Sequence, residues 1–318
     1  MTPVDPFARC VICPRACGID RHEKAGVCGM GANLRVALAQ LHFGEEPVLS
    51  GTAAPKTGDT NEARGSGTIF FSGCNLRCVY CQNHDISMGG PDGLGLGHDL
   101  SVDDLAAMML ELQLSGAHNI NLVTPTHFTP LVRQALILAK EHGLSLPVVW
   151  NSSAYESVDT LKTLEGLVDI YLPDLRYMDA AAAARYSAAP DYPEVACAAI
   201  LEMHRQVGDL VVKDRPAGQL ARRGLIIRLL VLPGNAGRTD LALTWIAQNL
   251  GNQTCVSLMG QYYPAHRANE FPEIDRCLRP IEYKAVRSHM ERLGFANGFV
   301  QQVGGSAAFT PDFRQGGF

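Results

Sequence analysis

Residues 70–83 read Phe-Phe-Ser-Gly-Cys-Asn-Leu-Arg-Cys-Val-Tyr-Cys-Gln-Asn, and the spacing Cys74-x3-Cys78-x2-Cys81 behind an apolar run decides how the 318-residue chain is read. Three soft thiolates on one short loop can hold three irons of a cubane and leave the fourth iron without a protein ligand. A zinc knuckle is the competing reading and would need a fourth ligand, for which His84 is the nearest candidate. The spacing is not a usual one for zinc, and an aromatic residue, Tyr80, directly before the third cysteine adds specificity to the iron reading. Cys74, Cys78 and Cys81 are therefore the candidate ligands of a [4Fe-4S] cluster.

Working outward from this loop, short apolar runs alternate with helix-like segments. Residues 68–73, 119–125, 146–153, 168–174, 225–234 and 254–264 read as strands, and 101–116, 130–143, 157–166, 181–208, 239–250 and 282–294 as helical stretches between and after them. Ser101 is an expected N-cap, with Asp104 three residues on. Six strands with intervening helices imply a parallel sheet with right-handed crossovers, a partial (β/α)6 barrel whose chemistry belongs at the C-terminal strand ends. Residues 32–44 supply one further extended segment, and the turn-rich residues 51–67 connect it to the barrel. The expected organisation is a Cys-rich lobe and connection over 1–60, the barrel over 61–303 and a flexible Gly-rich tail over 304–318.

The chain resembles the radical S-adenosylmethionine (SAM) superfamily, and within it the pyruvate formate-lyase activating enzymes, over about residues 68–303. The resemblance rests first on the cysteine loop and then on the strand ends. It implies that SAM chelates the open iron and is cleaved reductively to a 5′-deoxyadenosyl radical, the cofactor carrying the difficult chemistry. Tyr80 would pack against adenine. Residues 121–127, Asn-Leu-Val-Thr-Pro-Thr-His, stand where the family carries a Gly-Gly-Glu-type segment for the SAM amino group, so Thr124 and Thr126 would have to supply those contacts. Asn151 and Ser152 match the next strand end. Asp174 and Arg176 match an Asp-x-Lys pair, with Arg changing the donor geometry. Arg228 corresponds to an Arg that contacts the SAM carboxylate, and Met259 lies on the strand that contacts adenine. For each of these the plain alternative is a strand-end cap or an ion pair, such as Arg228 with Asp174.

The N-terminal cysteines form a second group, Cys10-x2-Cys13-x3-Cys17-x10-Cys28. Four thiolates so close together suffice for a closed zinc site or for an auxiliary iron-sulfur cluster, and spacing does not separate the two. The family's ferredoxin-like inserts follow the cluster motif, so this placement departs from them. Cys197, Cys255 and Cys277 read as inert buried thiols; Glu45 and Glu46 read as a solvated turn, with reach to the cluster side of the barrel as the alternative; and His127 is the one histidine on an active-face loop, with a purely local hydrogen bond as its alternative. Gly-rich residues 89–97 lack the strand and helix context of a phosphate loop.

Composition narrows the function further. Hydrophobic residues make up 47% of the chain and charged residues 19%, with net charge −5 and no basic cluster, so neither a nucleic-acid partner nor a membrane is expected. Ten cysteines without a signal sequence or a long apolar run suit metal binding in the cytoplasm better than disulfides. The expected function is hydrogen abstraction by the deoxyadenosyl radical, with a reductant such as flavodoxin or ferredoxin. A glycine on a partner glycyl radical enzyme is one expected substrate; a small molecule or a peptide is the alternative. A non-catalytic electron-transfer or metal-binding module is the reading from another class, and it would need no SAM-binding strand ends.

Overall fold

A computed structural model describes residues 5–51, 65–88, 96–215, 218–304 and 313. The six runs rich in β-branched and large apolar residues become β2 (Ser66–Phe71), β4 (Ile120–Val123), β5 (Val148–Ser152), β6 (Ile170–Pro173), β8 (Gly218–Leu230) and β9 (Cys255–Met259), after β1 (Leu34–His42) and interleaved with β3 (His98–Leu100) and β7 (Val211–Arg215), with β10 (Gly298–Val300) last. Strands β2, β4, β5 and β6 have scarcely a residue open to solvent, as expected of parallel strands covered on both faces. The sheet order is β10-β9-β8-β6-β5-β4-β2-β1-β3, with β7 pairing β8 off this path. All pairings from β2 through β10 along this path are parallel. The architecture is an open α/β sheet, the partial (β/α)6 barrel, with a cysteine-rich N-terminal region.

Around the six strands, the extended segment expected over 32–44 forms β1, and β3, β7 and β10 are additions. β1 lies antiparallel along β2 and carries the short β3 on its outer edge. β7 folds back on the first half of β8 as an antiparallel hairpin. β10 adds a parallel strand beyond β9.

The helices are α1 (Pro47–Ser50), α2 (His84–Ser87), α3 (Val102–Leu114), α4 (Thr129–Glu141), α5 (Val158–Lys162), α6 (Ala180–Ser187), α7 (Tyr192–Val207), α8 (Thr239–Asn249) and α9 (Pro280–Arg292). At the start of α3 the Asp104 amide donates to Ser101 Oγ at 3.1 Å and the Ser101 amide to Asp104 Oδ2 at 2.9 Å, the reciprocal cap the sequence suggested. Helix α1 decides the shape of the barrel interior. Val48 and Leu49 are buried with Val149, Ile170, Leu172, Ala221, Ile226 and Cys255, so the chain after β1 fills the lower barrel like a plug. The preceding Glu45 and Glu46 go in with it. This corrects the expectation of a solvated turn: their side chains are 8% and 5% exposed.

Of the three isolated cysteines, Cys255 is buried as expected and Cys197 is half-buried, but Cys277 is exposed. Most of the connection over 51–67 and of the Gly-rich residues 89–97, and all of the tail beyond Gly304 except Phe313, fall outside the described residues.

Candidate active site at the mouth of the barrel

Strand β2 ends at Phe71, and the chain then turns through Ser72 and Gly73 into the cysteine loop. Gly73 has φ +82°, and a Cβ there would collide with Met30 and come within 2.8 Å of the Cys28 carbonyl, so only glycine fits this approach. His127 supports the turn from behind. It is buried, its Nε2 lies 2.7 Å from the Ser72 carbonyl, and burial together with the Arg21 charge drives its pKa down to about 3, leaving it neutral. Its place is thus in the wall rather than on the open face.

Cys74, Cys78 and Cys81 all open on one cavity of about 280 Å³, lined from β2, β4, β5, β8 and β9 and by Asp174 just past the end of β6. Each sulfur has a hydrogen-bonding partner: the Leu76 amide donates to Cys74 Sγ at 3.4 Å, the Ser187 hydroxyl to Cys78 Sγ at 3.2 Å, and the Ser87 hydroxyl lies 3.2 Å from Cys81 Sγ. Burial raises the Cys74 thiol and pushes Cys81 to about 12, and the neighbouring thiols of the trio act in the same direction. A trio of this kind, mutually repelling when ionised and supplied with donors, is a donor set for a cationic inorganic core.

Around this trio the cavity is lined by Tyr80, Thr124, Asn151, Ser152, Asp174, Arg176, Arg228 and Met259, which are eight of the nine residues expected near SAM. Thr126, the ninth, is turned behind the wall, its hydroxyl donating to Glu156 Oε1 at 2.8 Å; Trp150 Nε1 donates to the same oxygen at 3.0 Å. Tyr80 is held edge-on by Tyr177, Tyr186 and Tyr262. Arg176 pairs with Asp174 at 2.5 Å.

Arg228 differs from expectation in its partners. Its Nε donates to Glu46 Oε1 at 2.8 Å and its Nη2 to Glu46 Oε2 at 2.6 Å and to Glu45 Oε2. Asn121 Nδ2 in turn donates to Glu45 Oε1 at 2.9 Å. Burial opposes ionisation of Glu46, but the guanidinium outweighs it and holds the carboxyl below its ordinary range. Arg228 therefore spends its fork on the plug, not on Asp174, and it closes the floor of the cavity. A carboxylate partner for Arg228 was one alternative legible in the sequence, but its identity as Glu45 and Glu46 was not, nor were Ser187 and Ser87 beside the thiols, because each pairing depends on residues brought together only by the fold.

Behind the cysteine loop lies the N-terminal lobe. Cys10, Cys13 and Cys28 are buried and Cys17 is half-exposed. A Cβ at Gly26 would lie 3.5 Å from both Cys17 Sγ and Cys28 Sγ, and Cys10 and Cys28 both act on Cys13, which burial raises to about 12. Arg21 knits the lobe together: it donates to the Met30, Gly31 and His127 carbonyls and lies over the Phe7 and Phe128 rings. Among the described residues, no three His, Cys, Asp or Glu side chains stand at the spacing of a single bound ion.

Residues 68–209 match the Radical SAM superfamily. An uncharacterized protein of Methanocaldococcus jannaschii, MJ0674, is 31% identical over 290 residues, which is 90% of this chain and 74% of that one. The chain belongs to the radical SAM superfamily. A second uncharacterized protein of the same organism, MJ0808, is 25% identical over 162 residues, covering 50% of this chain and 47% of its own length. This radical SAM protein is also similar to two solved structures at 14% identity. One is HydG, a maturase of the [FeFe]-hydrogenase, with TM-score 0.46 over 76% of this chain and 51% of that one. The other is methylornithine synthase (PylB), with TM-score 0.47 over 75% and 73%.

Membership implies a [4Fe-4S] cluster and SAM, and the residues present fit both. Cys74, Cys78 and Cys81 would hold the cluster, and the polar strand ends around them would hold SAM. Bound there, the pair supplies reductive cleavage of a carbon–sulfur bond and so a radical for an enzyme-catalysed reaction. The chain's own part is to set hydrogen-bond donors on the sulfurs, to hold Asp174 and Arg176 as a pair at the rim, and to seal the floor with Arg228, Glu45 and Glu46. Among the described residues no helix is long and apolar enough to cross a membrane.

Proposed function

We propose that the protein uses this site to take a hydrogen atom from a glycine of a partner protein, leaving a glycyl radical. The carrying observation is the size and closure of the cavity. Its volume of about 280 Å³ lies just below the range of pockets that hold one small ligand, roughly 300 to 1,000 Å³. A cluster and SAM would share this space, and the Arg228–Glu45–Glu46 floor closes it from below. The hydrogen donor is then left the open mouth, and a slim backbone segment without a side chain suits that approach. Flavodoxin or ferredoxin would supply the electron in the cytoplasm.

The test is anaerobic incubation of the iron-loaded protein with SAM, a reductant and candidate glycyl radical enzymes, with and without deuteration of glycine. The expected result is a protein-based radical signal whose splitting changes with glycine deuteration, and deuterium transfer into 5′-deoxyadenosine. Acceleration of SAM cleavage by a small molecule, with deuterium arriving from that molecule, would refute the reading.

A further inference from the structure

The N-terminal lobe is joined to the cysteine loop more tightly than its place in the sequence requires. The Cys74 amide donates to the Cys28 carbonyl at 3.1 Å, so one hydrogen bond and the atoms of two residues connect a thiol of the lobe to a thiol of the barrel. The glycine at position 73 keeps this approach open, as shown above. A second junction lies on the other side of the loop. Arg15, between Cys13 and Cys17, donates through Nε to the Asn75 carbonyl at 2.8 Å and through Nη2 to the Leu76 carbonyl at 3.2 Å, both inside the Cys74–Cys78 span. The same side chain reaches the Ser187 and Ala188 carbonyls at 2.8 and 2.5 Å, next to the hydroxyl that serves Cys78. The lobe is also polarised. Cys17 is its half-exposed thiol, whereas Cys28 is buried against the barrel.

A closed structural zinc site would stiffen the lobe but would have no use for a ligand set that runs from solvent to the barrel thiols. We propose that Cys10, Cys13, Cys17 and Cys28 hold a redox-active iron-sulfur cluster that relays single electrons to the barrel cluster across the Cys28–Cys74 hydrogen bond. The balance is simple. A reduced flavodoxin or ferredoxin gives up one electron at the Cys17 side, the lobe cluster is reduced and reoxidised in turn, and the barrel cluster gains that electron; no bond or proton moves. The inference rests on the barrel trio holding a cluster, and the test separates the two.

The wild-type protein, reconstituted anaerobically, is expected to carry about twice the iron and sulfide of the Cys17→Ser variant, and freeze-quench EPR with reduced flavodoxin should show the lobe signal before the barrel signal. In the variant, SAM cleavage driven by dithionite, which reaches the barrel cluster directly, should persist, while cleavage driven by flavodoxin falls by roughly tenfold or more. Zinc in place of the extra iron, or flavodoxin-driven cleavage at the wild-type rate in the variant, would overturn the relay. Should the variant lose dithionite-driven cleavage as well, the wild-type freeze-quench order decides alone, and a barrel cluster reduced first would overturn the proposal. Absence of iron from the barrel trio with the lobe loaded would defeat the site reading instead.

Discussion

The mouth and the floor of the barrel are both polar places in an apolar sheet, and they are held together in opposite ways. At the mouth, three thiols within eight residues of sequence share one loop, and their donors are neutral hydroxyls and an amide. At the floor, Arg228 meets Glu46 across 182 residues of sequence, and the bonds are between full charges taken out of water. The mouth can be vacated or filled without orphaning a charge. The floor cannot, since removing one partner of a buried ion pair leaves the other uncompensated.

That contrast gives the largest expected effect. Arg228→Met should cost about 3 to 5 kcal/mol of stability, measured by denaturant unfolding, because Glu45 and Glu46 lose their common partner. SAM affinity of the folded fraction should fall by less than about tenfold. A variant of wild-type stability that no longer binds SAM would return Arg228 to the role of carboxylate ligand and erase the distinction between floor and mouth.

A smaller effect sharpens the comparison in the wall between the two. Glu156 is buried, its Oε2 has no hydrogen-bonding partner, and burial raises its pKa above the ordinary carboxyl value. A group whose folded pKa is raised makes stability fall as pH rises from the unfolded value through the folded one. Glu156→Gln should therefore flatten the decline of stability as pH rises above the ordinary carboxyl value, while an unchanged pH profile would remove Glu156 from the account.

The smallest effect lies at the mouth. Ser187→Ala removes the donor to Cys78 Sγ and should change stability by no more than about 0.5 to 1.5 kcal/mol. Its signature is electrochemical. Loss of a hydrogen bond to a thiolate sulfur disfavours the reduced, more negative cluster, so the barrel potential should move to a lower value in a redox titration. An unchanged potential would mean that the mouth, like the floor, is only structural.

How much of this was legible in the sequence follows the same division. The cysteine loop, the six parallel strands and the Ser101 cap are written in local spacing and periodicity, and the structure has them. Glu45 and Glu46 read as a turn because nothing near them in the chain announces that Pro47–Ser50 enters the barrel. β7 was hidden because its two adjacent valines run straight into the charged Lys213–Arg215 and leave no alternation to read, and β10 because three residues carry too little pattern. Thr126 was expected at the cleft from its place in Asn121–His127, yet its hydroxyl donates to the buried Glu156, which also accepts from Trp150, and this draws it behind the wall.

The central claim is that Cys74, Cys78 and Cys81 hold the cluster at which SAM is cleaved. It is tested most directly by reconstituting the wild-type protein and the Cys74→Ala/Cys78→Ala/Cys81→Ala variant anaerobically, adding SAM and dithionite, and measuring 5′-deoxyadenosine by mass. The account predicts product from the wild type and none from a folded triple variant that has lost the barrel cluster's absorption. Product from the triple variant at the wild-type rate would contradict it.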